Sequence, residues 1–384
     1  MKIKILLVTP YDADSNSFHR SCGPFMYLEK NGRREGLDFE YHLAGDQTGG
    51  NRISWVQIGR YDGVFLHRPC REDDLTIIKI ARDKNVPVWC EFDDDLFSVP
   101  IYNPHHAQYE NPAMQNIIAS CAALADMISV TTQPLCDLFK RVNDNVVIIP
   151  NAYRSDIYWY RKLETPPRND LIAWRGSPTH DADLMSVANA WLKMPAKVSF
   201  YGGVPWMLTA KMQENKPGSF QSVGNGDPFI YMRELYNAAP RVMVVPLVDC
   251  FFNRCKSNIA YQEALHAGAI CVAPNMPEWV RPGVVGYEAG NADSFLAAVN
   301  GAFNLSDDKH KEIVSSGYKE MREQYDAAVV NEVRKKALLD FVNRGRVNGK
   351  DPWFPLVGAM ALTKLKSSRQ QNSLNNSSIG RTMK

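Results

Sequence analysis

The densest group of chemically useful residues is CFFNRCKSNIAYQEALHAGAICVAP, residues 250–274, which follows the apolar run RVMVVPL. Its pattern predicts a strand, a loop carrying Asn253, Arg254, Lys256 and Ser257, and then a helix opening at Ser257. Such a helix start leaves backbone N–H groups without intrahelical partners and aims them at whatever lies above the sheet edge, which makes an anion site. Arg254 and Lys256 add charge, and Ser257 can cap the helix or bond a phosphate oxygen, so a diphosphate suits this chemistry. Glu263 lies farther down the same helix, where its carboxylate can accept two hydrogen bonds from ribose hydroxyls. As plain structure, the same residues are solvated loop charges and a helix-surface acid, and the segment alone leaves both readings open.

A second segment, IAWRGSPTHDADL at 172–184, places Arg175, Gly176, Ser177 and Thr179 in the turn after a strand. Gly176 removes a Cβ obstacle, Thr179 or Asp181 can cap the next helix, and Arg175 is the expected partner of Lys256 on a diphosphate. Without a ligand in mind it is a good strand-to-helix turn. Gly202 and Gly203, after KVSFYGG, permit close backbone approach, and Phe229 and Tyr231 are placed near a nucleobase, although aromatics there equally serve a core.

The sharpest feature of the first half is the acidic run EFDDDLFSVPIYNP, residues 91–104. Asp93 and Asp94 are candidate catalytic residues and Asp95 a candidate acceptor-side residue; a helix N-cap cluster is the structural alternative. His67 and Arg68 end the strand in GVFLHRPC, and ligands of open α/β sheets lie beyond the carboxyl ends of strands. His67 is therefore a candidate base or positioning group, with a satisfied structural histidine as the alternative, and Arg68 joins the acceptor side. FHRSCGPF at 18–25 adds His19, Arg20 and Gly23 to that side, while His105 and His106 read as loop residues.

The run SNIAYQEALHAGAICVAPN resembles the donor-binding motif of nucleotide-sugar glycosyltransferases with the GT-B fold, especially the large retaining group. In that group a Lys-Ser or similar pair precedes a helix reading x-x-E-A-x-A-x-G and a strand ending in Pro; PGVVGY at 282–287 resembles the next family loop. The resemblance implies an α/β, GT-B chain of two facing Rossmann-like domains, with a nucleotide-sugar donor, UDP-sugar favoured, on the C-terminal domain. It implies an acceptor on the N-terminal one and chemistry in the cleft between them. It further implies metal-independent, front-face transfer with retention, in which the leaving phosphate helps deprotonate the acceptor and no cofactor beyond the donor is required. One departure concerns the sugar: many members carry two glutamates separated by seven residues, and the first would fall at Cys255. Sugar identity therefore stays open, as does an inverting route with His67 or an aspartate as base. An Asp-x-Asp divalent-metal site of the GT-A kind is the disfavoured reading of residues 93–95, because the phosphate-type turns lie in the second half. The D-D-D-L-F run is similar to glycosyltransferases of bacterial and phage type. That brings hydroxymethylated bases of phage DNA in as an acceptor, beside polysaccharide and lipid-linked glycans. The rivals are a sugar-nucleotide epimerase and a non-catalytic nucleotide-sugar-binding protein.

These residues need scaffolds, and the chain supplies two. At 384 residues it exceeds one ordinary α/β core. β-branched apolar runs alternate with helix-period segments over 1–150, giving strands KILLVTP, DFEYHLA, GVFLH, VPVWCEF, MISVT and NVVIIP and helices that include 73–84, 111–125 and 133–142. Residues 151–169 read as a connector. A second rhythm over 170–305 has strands LIAW, KVSFYGG, RVMVVPL and AICVAP and helices near 181–193, 229–238 and 257–267. Helices are expected over 306–350, then an extension and a disordered basic tail over 351–384. The net charge of +2 gives no bulk pull toward nucleic acid; the Lys/Arg-bearing tail tilts the reading toward a polymer such as DNA. Eight cysteines without a C-x-x-C pair read as reduced core thiols, and no run is apolar and long enough for a membrane helix, so a cytoplasmic enzyme is expected. The sequence leaves the oligomeric state open.

Overall fold

The computed structural model describes residues 2–9, 15–44, 55–155, 169–224, 228–345 and 357–366. The chain divides into two compact units: Met1–Val99 with Ala107–Pro150 and Asn331–Lys384, and Pro100–His106 with Asn151–Val330.

The first unit is built on six parallel strands: β1 (Ile3–Val8), β2 (Phe39–Ala44), β3 (Gly63–His67), β4 (Val88–Phe92), β5 (Met127–Val130) and β6 (Val146–Ile148), ordered β2-β1-β3-β4-β5-β6. β3, β4 and β5 are buried along their whole length, which is why they read as unbroken apolar runs rather than alternating ones. The helices between them start where the sequence offers caps. Asn111 accepts from the amides of Ala113 (2.9 Å) and Met114 at the head of Pro112–Leu124, and the Asp74 carboxylate accepts from the amides of Cys70 and Arg71 at the head of Glu72–Asp83. From Asn331 the last long helix, Ala327–Arg344, packs into this unit: the Phe341 ring lies edge-on to Trp89, 5.7 Å between centroids.

The second unit carries β7 (Asn169–Gly176), β8 (Lys197–Gly202), β9 (Phe220–Val223), β10 (Pro240–Val244), β11 (Ile270–Pro274) and β12 (Val284–Tyr287), all parallel, ordered β12-β11-β10-β7-β8-β9. Counted within the unit this is 3-2-1-4-5-6, whose direction of winding reverses between β7 and β10; ligands of such sheets bind beyond the carboxyl ends of the strands at that point. Helix Asp307–Gln324, capped by Ser306 Oγ, closes against the sheet through Gly317, where a Cβ would stand 2.7 Å from Gly283 Cα.

The structure departs from the sequence boundaries in four places. Residues 100–106 belong to the second unit, and residues from Asn331 to the first, so the C-terminal helices do not form one separate body. The expected helix 181–193 breaks into Asp181–Ser186 and Ala188–Trp191, and the helix expected from Ser257 runs over Ile259–His266. Most of the connector (156–168) and the tail (367–384) lie outside the described residues. No described helix is long and apolar enough to cross a membrane, and all eight cysteines are free.

Candidate functional site

In the second unit the winding switch between β7 and β10 collects most of the residues singled out above. β7 ends in Arg175 and Gly176, which pair in register with Tyr201 and Gly202 of β8, and the Gly203 amide donates to the Gly176 carbonyl at 3.2 Å. The glycines are required by space and torsion: Gly202 has φ +119, a Cβ on Gly203 would stand 2.8 Å from Pro178, and one on Gly176 would stand 2.6 Å from the Trp174 ring. Beyond β10, the loop to helix Phe251–Arg254 is fixed by Asp183, whose Oδ1 accepts from the Val248 amide (2.8 Å) and Asn253 Nδ2 (2.9 Å). Its Oδ2 meets His180 Nδ1 at 2.8 Å. Burial, then the nearby Lys256 charge, holds His180 below its ordinary pKa against the pull of Asp183.

The structure brings Arg175 and Glu263 together. Arg175 Nε donates to Glu263 Oε2 at 2.6 Å, and the Tyr231 hydroxyl donates to the same oxygen at 3.1 Å. Burial raises the Glu263 carboxyl above its usual range, with the Arg175 charge and these hydrogen bonds opposing it. The Tyr231 ring also lies edge-on to Tyr201 at 5.6 Å, so Tyr231 meets Glu263 through its hydroxyl and packs through its ring. The Phe229 side chain lies outside the described residues.

Arg254 is engaged by a surface partner: Nε and Nη2 donate to the two oxygens of Asp249 at 2.7 and 2.8 Å. Lys256 is different. Its Nζ stands 4.7 Å from the centroid of the Phe252 ring and makes no ion pair or hydrogen bond among the described residues. Ser257 Oγ accepts from Asn151 Nδ2 at 2.7 Å. The Ser257, Asn258 and Ile259 amides donate to no backbone carbonyl among the described residues, so the mouth of helix Ile259–His266 keeps donors available to an anion. Ser177 Oγ is paired with Thr179 Oγ1 at 2.6 Å, and neither Thr179 nor Asp181 caps the following helix, which starts behind His180 without a side-chain cap. Tyr102, from the 100–106 segment, sets its hydroxyl 3.5 Å from Cys250 Sγ beside this loop. Sequence reasoning gave no role to Asp183, His180, Tyr102 or Asn151.

In the first unit the acidic run forms a clamp. Both Asp93 oxygens hold the Arg68 guanidinium, the Nη2 contact at 2.7 Å, and Asp94 Oδ2 takes Nη2 at 2.7 Å. Arg68 has φ +49, a left-handed conformation unusual for a residue with a Cβ, and its amide donates to the Glu91 carbonyl at 2.9 Å. Burial pushes the Asp93 carboxyl up, but the Arg68 charge and hydrogen bonds outweigh it and hold Asp93 below the ordinary carboxylate range. A carboxylate held so is a weak proton acceptor. Asp95 serves the loop: its Oδ1 accepts from the Phe97 amide at 2.9 Å and its Oδ2 from the Ser98 hydroxyl.

His67 is 3% exposed; its Nδ1 lies 3.2 Å from Thr9 Oγ1 and 3.4 Å from Ser21 Oγ, and its buried Nε2 has no partner among the described residues. Burial lowers it to about 3, so the imidazole is neutral at physiological pH. Arg20 is 1% exposed and donates through Nε (2.8 Å) and Nη2 (2.6 Å) to Glu91, which Ser129 also contacts. Arg20 is thus an internal strut, Gly23 is buried within helix Cys22–Asn31, and His19 lies on helix Ser15–Arg20 with its ring 4.9 Å from Phe18. Among the described residues no three His, Cys, Asp or Glu side chains gather as a metal-binding group.

Two six-stranded parallel Rossmann-like sheets in one chain define the GT-B fold, and solved structures agree. The chain is similar to a glycosyltransferase from Rickettsia africae (13% identity, 89% of this chain and 99% of that one, TM-score 0.62). It is also similar to Anabaena HepE in complex with UDP and glucose (12%, 88% and 100%, TM-score 0.61). A putative UDP-N-acetylglucosamine 2-epimerase from Listeria monocytogenes shares the architecture as well (9%, 90% and 98%, TM-score 0.57). No protein-family model and no curated protein sequence matches.

Proposed function

We propose that the chain is a glycosyltransferase whose second unit holds a nucleoside diphosphate sugar, with UDP-sugars the first candidates, at the carboxyl edge of β7 and β10. The observation that carries this reading is the convergence, at one winding switch, of a cation and helix-mouth amides without hydrogen-bond partners among the described residues and a buried carboxylate. Lys256 and the Ser257–Ile259 amides take the diphosphate, Arg175 shares its charge between Glu263 and the phosphates, and Glu263 accepts from the ribose hydroxyls. Cationic neutralisation of the departing nucleotide supplies what a divalent metal would otherwise provide, which favours metal-independent transfer. Asp93 is held by Arg68 and His67 is neutral and weakly basic, so neither makes a strong general base; this favours retention with the leaving phosphate taking the acceptor proton. Gly202, Gly203 and Tyr231 line the nucleobase side, and the first unit presents the acceptor through Arg68 and Asp94, His67 being buried.

The epimerase reading is kept because that architecture serves both chemistries. Radiolabelled UDP-sugars incubated with hydroxymethylated DNA, with a glycan acceptor and with none separate the cases. Transfer to either acceptor supports the reading and selects its acceptor, whereas an epimerised sugar released without acceptor, or no UDP binding at all, overturns it.

A further inference from the structure

Ser257 stands at the helix mouth with one hydrogen-bond partner among the described residues, and that partner comes from the start of the 151–169 connector. Asn151 is 6% exposed; its Nδ2 donates to Ser257 Oγ at 2.7 Å, and its carbonyl accepts from Gln262 Nε2 at 3.0 Å, one turn into the same helix. Gln262 is itself oriented by Asn258 Oδ1 at 3.1 Å. A serine hydroxyl has one hydrogen to donate and lone pairs to accept with. The Asn151 amide nitrogen occupies one lone pair, which leaves the hydroxyl hydrogen for another acceptor, and Ser257 has none among the described residues. Its neighbours in sequence are the cationic Lys256 and the Ser257–Ile259 amides, which donate to no backbone carbonyl among the described residues.

We infer that Asn151 is a positioning residue that presets Ser257 as a hydrogen-bond donor to the donor's phosphates. Were the amide reversed, the Asn oxygen would take the serine proton and turn a lone pair toward the anion. The cluster would then lose a donor and gain a repulsion. The inference rests on the donor-site reading above, and gives the connector a defined part in nucleotide affinity.

The test is calorimetric titration of UDP into full-length wild type, Asn151→Ala, Asn151→Asp, Ser257→Ala and the Asn151→Ala/Ser257→Ala double variant, with circular dichroism as the check on folding. Loss of a hydrogen bond to a charged group predicts about tenfold weaker binding or more for Ser257→Ala. Asn151→Ala should weaken binding less, because the hydroxyl can still rotate into place, and the double variant should be no weaker than Ser257→Ala alone. Asn151→Asp keeps the shape but accepts the serine proton and adds a negative charge, so it should be the weakest single variant. Affinities of both Asn151 variants equal to wild type, or losses that multiply fully in the double variant, overturn the positioning role while leaving the donor site intact. Absence of UDP binding to folded wild type overturns the donor-site reading and this inference with it.

Discussion

Arg68→Ala tests whether the acidic run is a clamp or a free catalytic pair. In the wild type the Arg68 side chain is 18% exposed and Asp93 10%, so removing the guanidinium leaves a nearly buried carboxylate without its counter-charge. Breaking a buried pair from one side typically costs about 3–5 kcal/mol; with Asp94 27% exposed and able to reach water, about 3 kcal/mol at pH 7 is expected. The pH dependence carries the sharper signature. Asp93 is depressed below its unfolded value of 3.8, so its contribution is present above that value and is lost as the pH falls through the folded one. In the variant, burial, the largest influence on Asp93, loses its main opponent, and the folded carboxyl rises above the unfolded one. The variant's penalty then appears as the pH rises. The stability gap should shrink to about 1 kcal/mol near pH 3 and open to its full size by pH 6. Arg68→Gly separates charge from torsion: it also removes the clamp but relieves φ +49, and should be more stable than Arg68→Ala by about 1 kcal/mol. Equilibrium urea unfolding at pH 3, 5 and 7 measures all three proteins. A gap below about 1 kcal/mol at pH 7, or one that does not change with pH, would refute the reasoning.

Other consequences are as specific. Lys256→Ala and Arg175→Ala should each weaken UDP affinity by about 10- to 100-fold, the range for hydrogen bonds to a charged group, and unchanged isotherms in both would remove the donor-site assignment. Gly317→Ala should destabilise by about 1–3 kcal/mol because the new methyl meets the backbone of Gly283 and Pro282 at 2.7 and 2.8 Å. Gly301→Ala, late in helix Ala292–Phe303 with nothing within 4 Å, should be neutral or stabilise by up to about 1 kcal/mol, and thermal melts compare the two. Transfer or UDP binding should persist in excess chelator; strict dependence on added manganese would mean that the acidic run rearranges around a metal.

The scaffold was legible where burial is complete. β3, β4 and β5 follow unbroken apolar runs, because strands covered on both faces need no polar alternation. The same logic hid Phe220–Val223, an edge strand whose middle residues are exposed and whose composition is polar. It also hid Val284–Tyr287, which reads as a loop because glycine and proline precede it. The regrouping of residues 100–106 and of those from Asn331 was out of reach for a different reason. Contacts such as Phe341 with Trp89 join residues far apart in the chain, and no local pattern encodes them.

The site followed the same division. Residue types and turn positions were visible, but which charges neutralise which is set by strand order. β3 pairs with β4 so that His67 faces Glu91, which carries Arg68 to Asp93; β4 pairs with β5 so that Glu91 faces Ser129. Four of the five candidate cations thereby meet a carboxylate: Arg20 with Glu91, Arg68 with Asp93 and Asp94, Arg175 with Glu263, and Arg254 with Asp249. Lys256, resting on the Phe252 ring, does not among the described residues. On the proposed donor site a diphosphate would meet at Lys256 a cation with no carboxylate partner among the described residues, and at Arg175 one whose charge is already divided with a buried acid. Of the two alanine variants, Lys256→Ala should consequently show the larger loss of UDP affinity. The reverse order would mean that Arg175 leaves Glu263 when nucleotide binds and gives its whole charge to the phosphates.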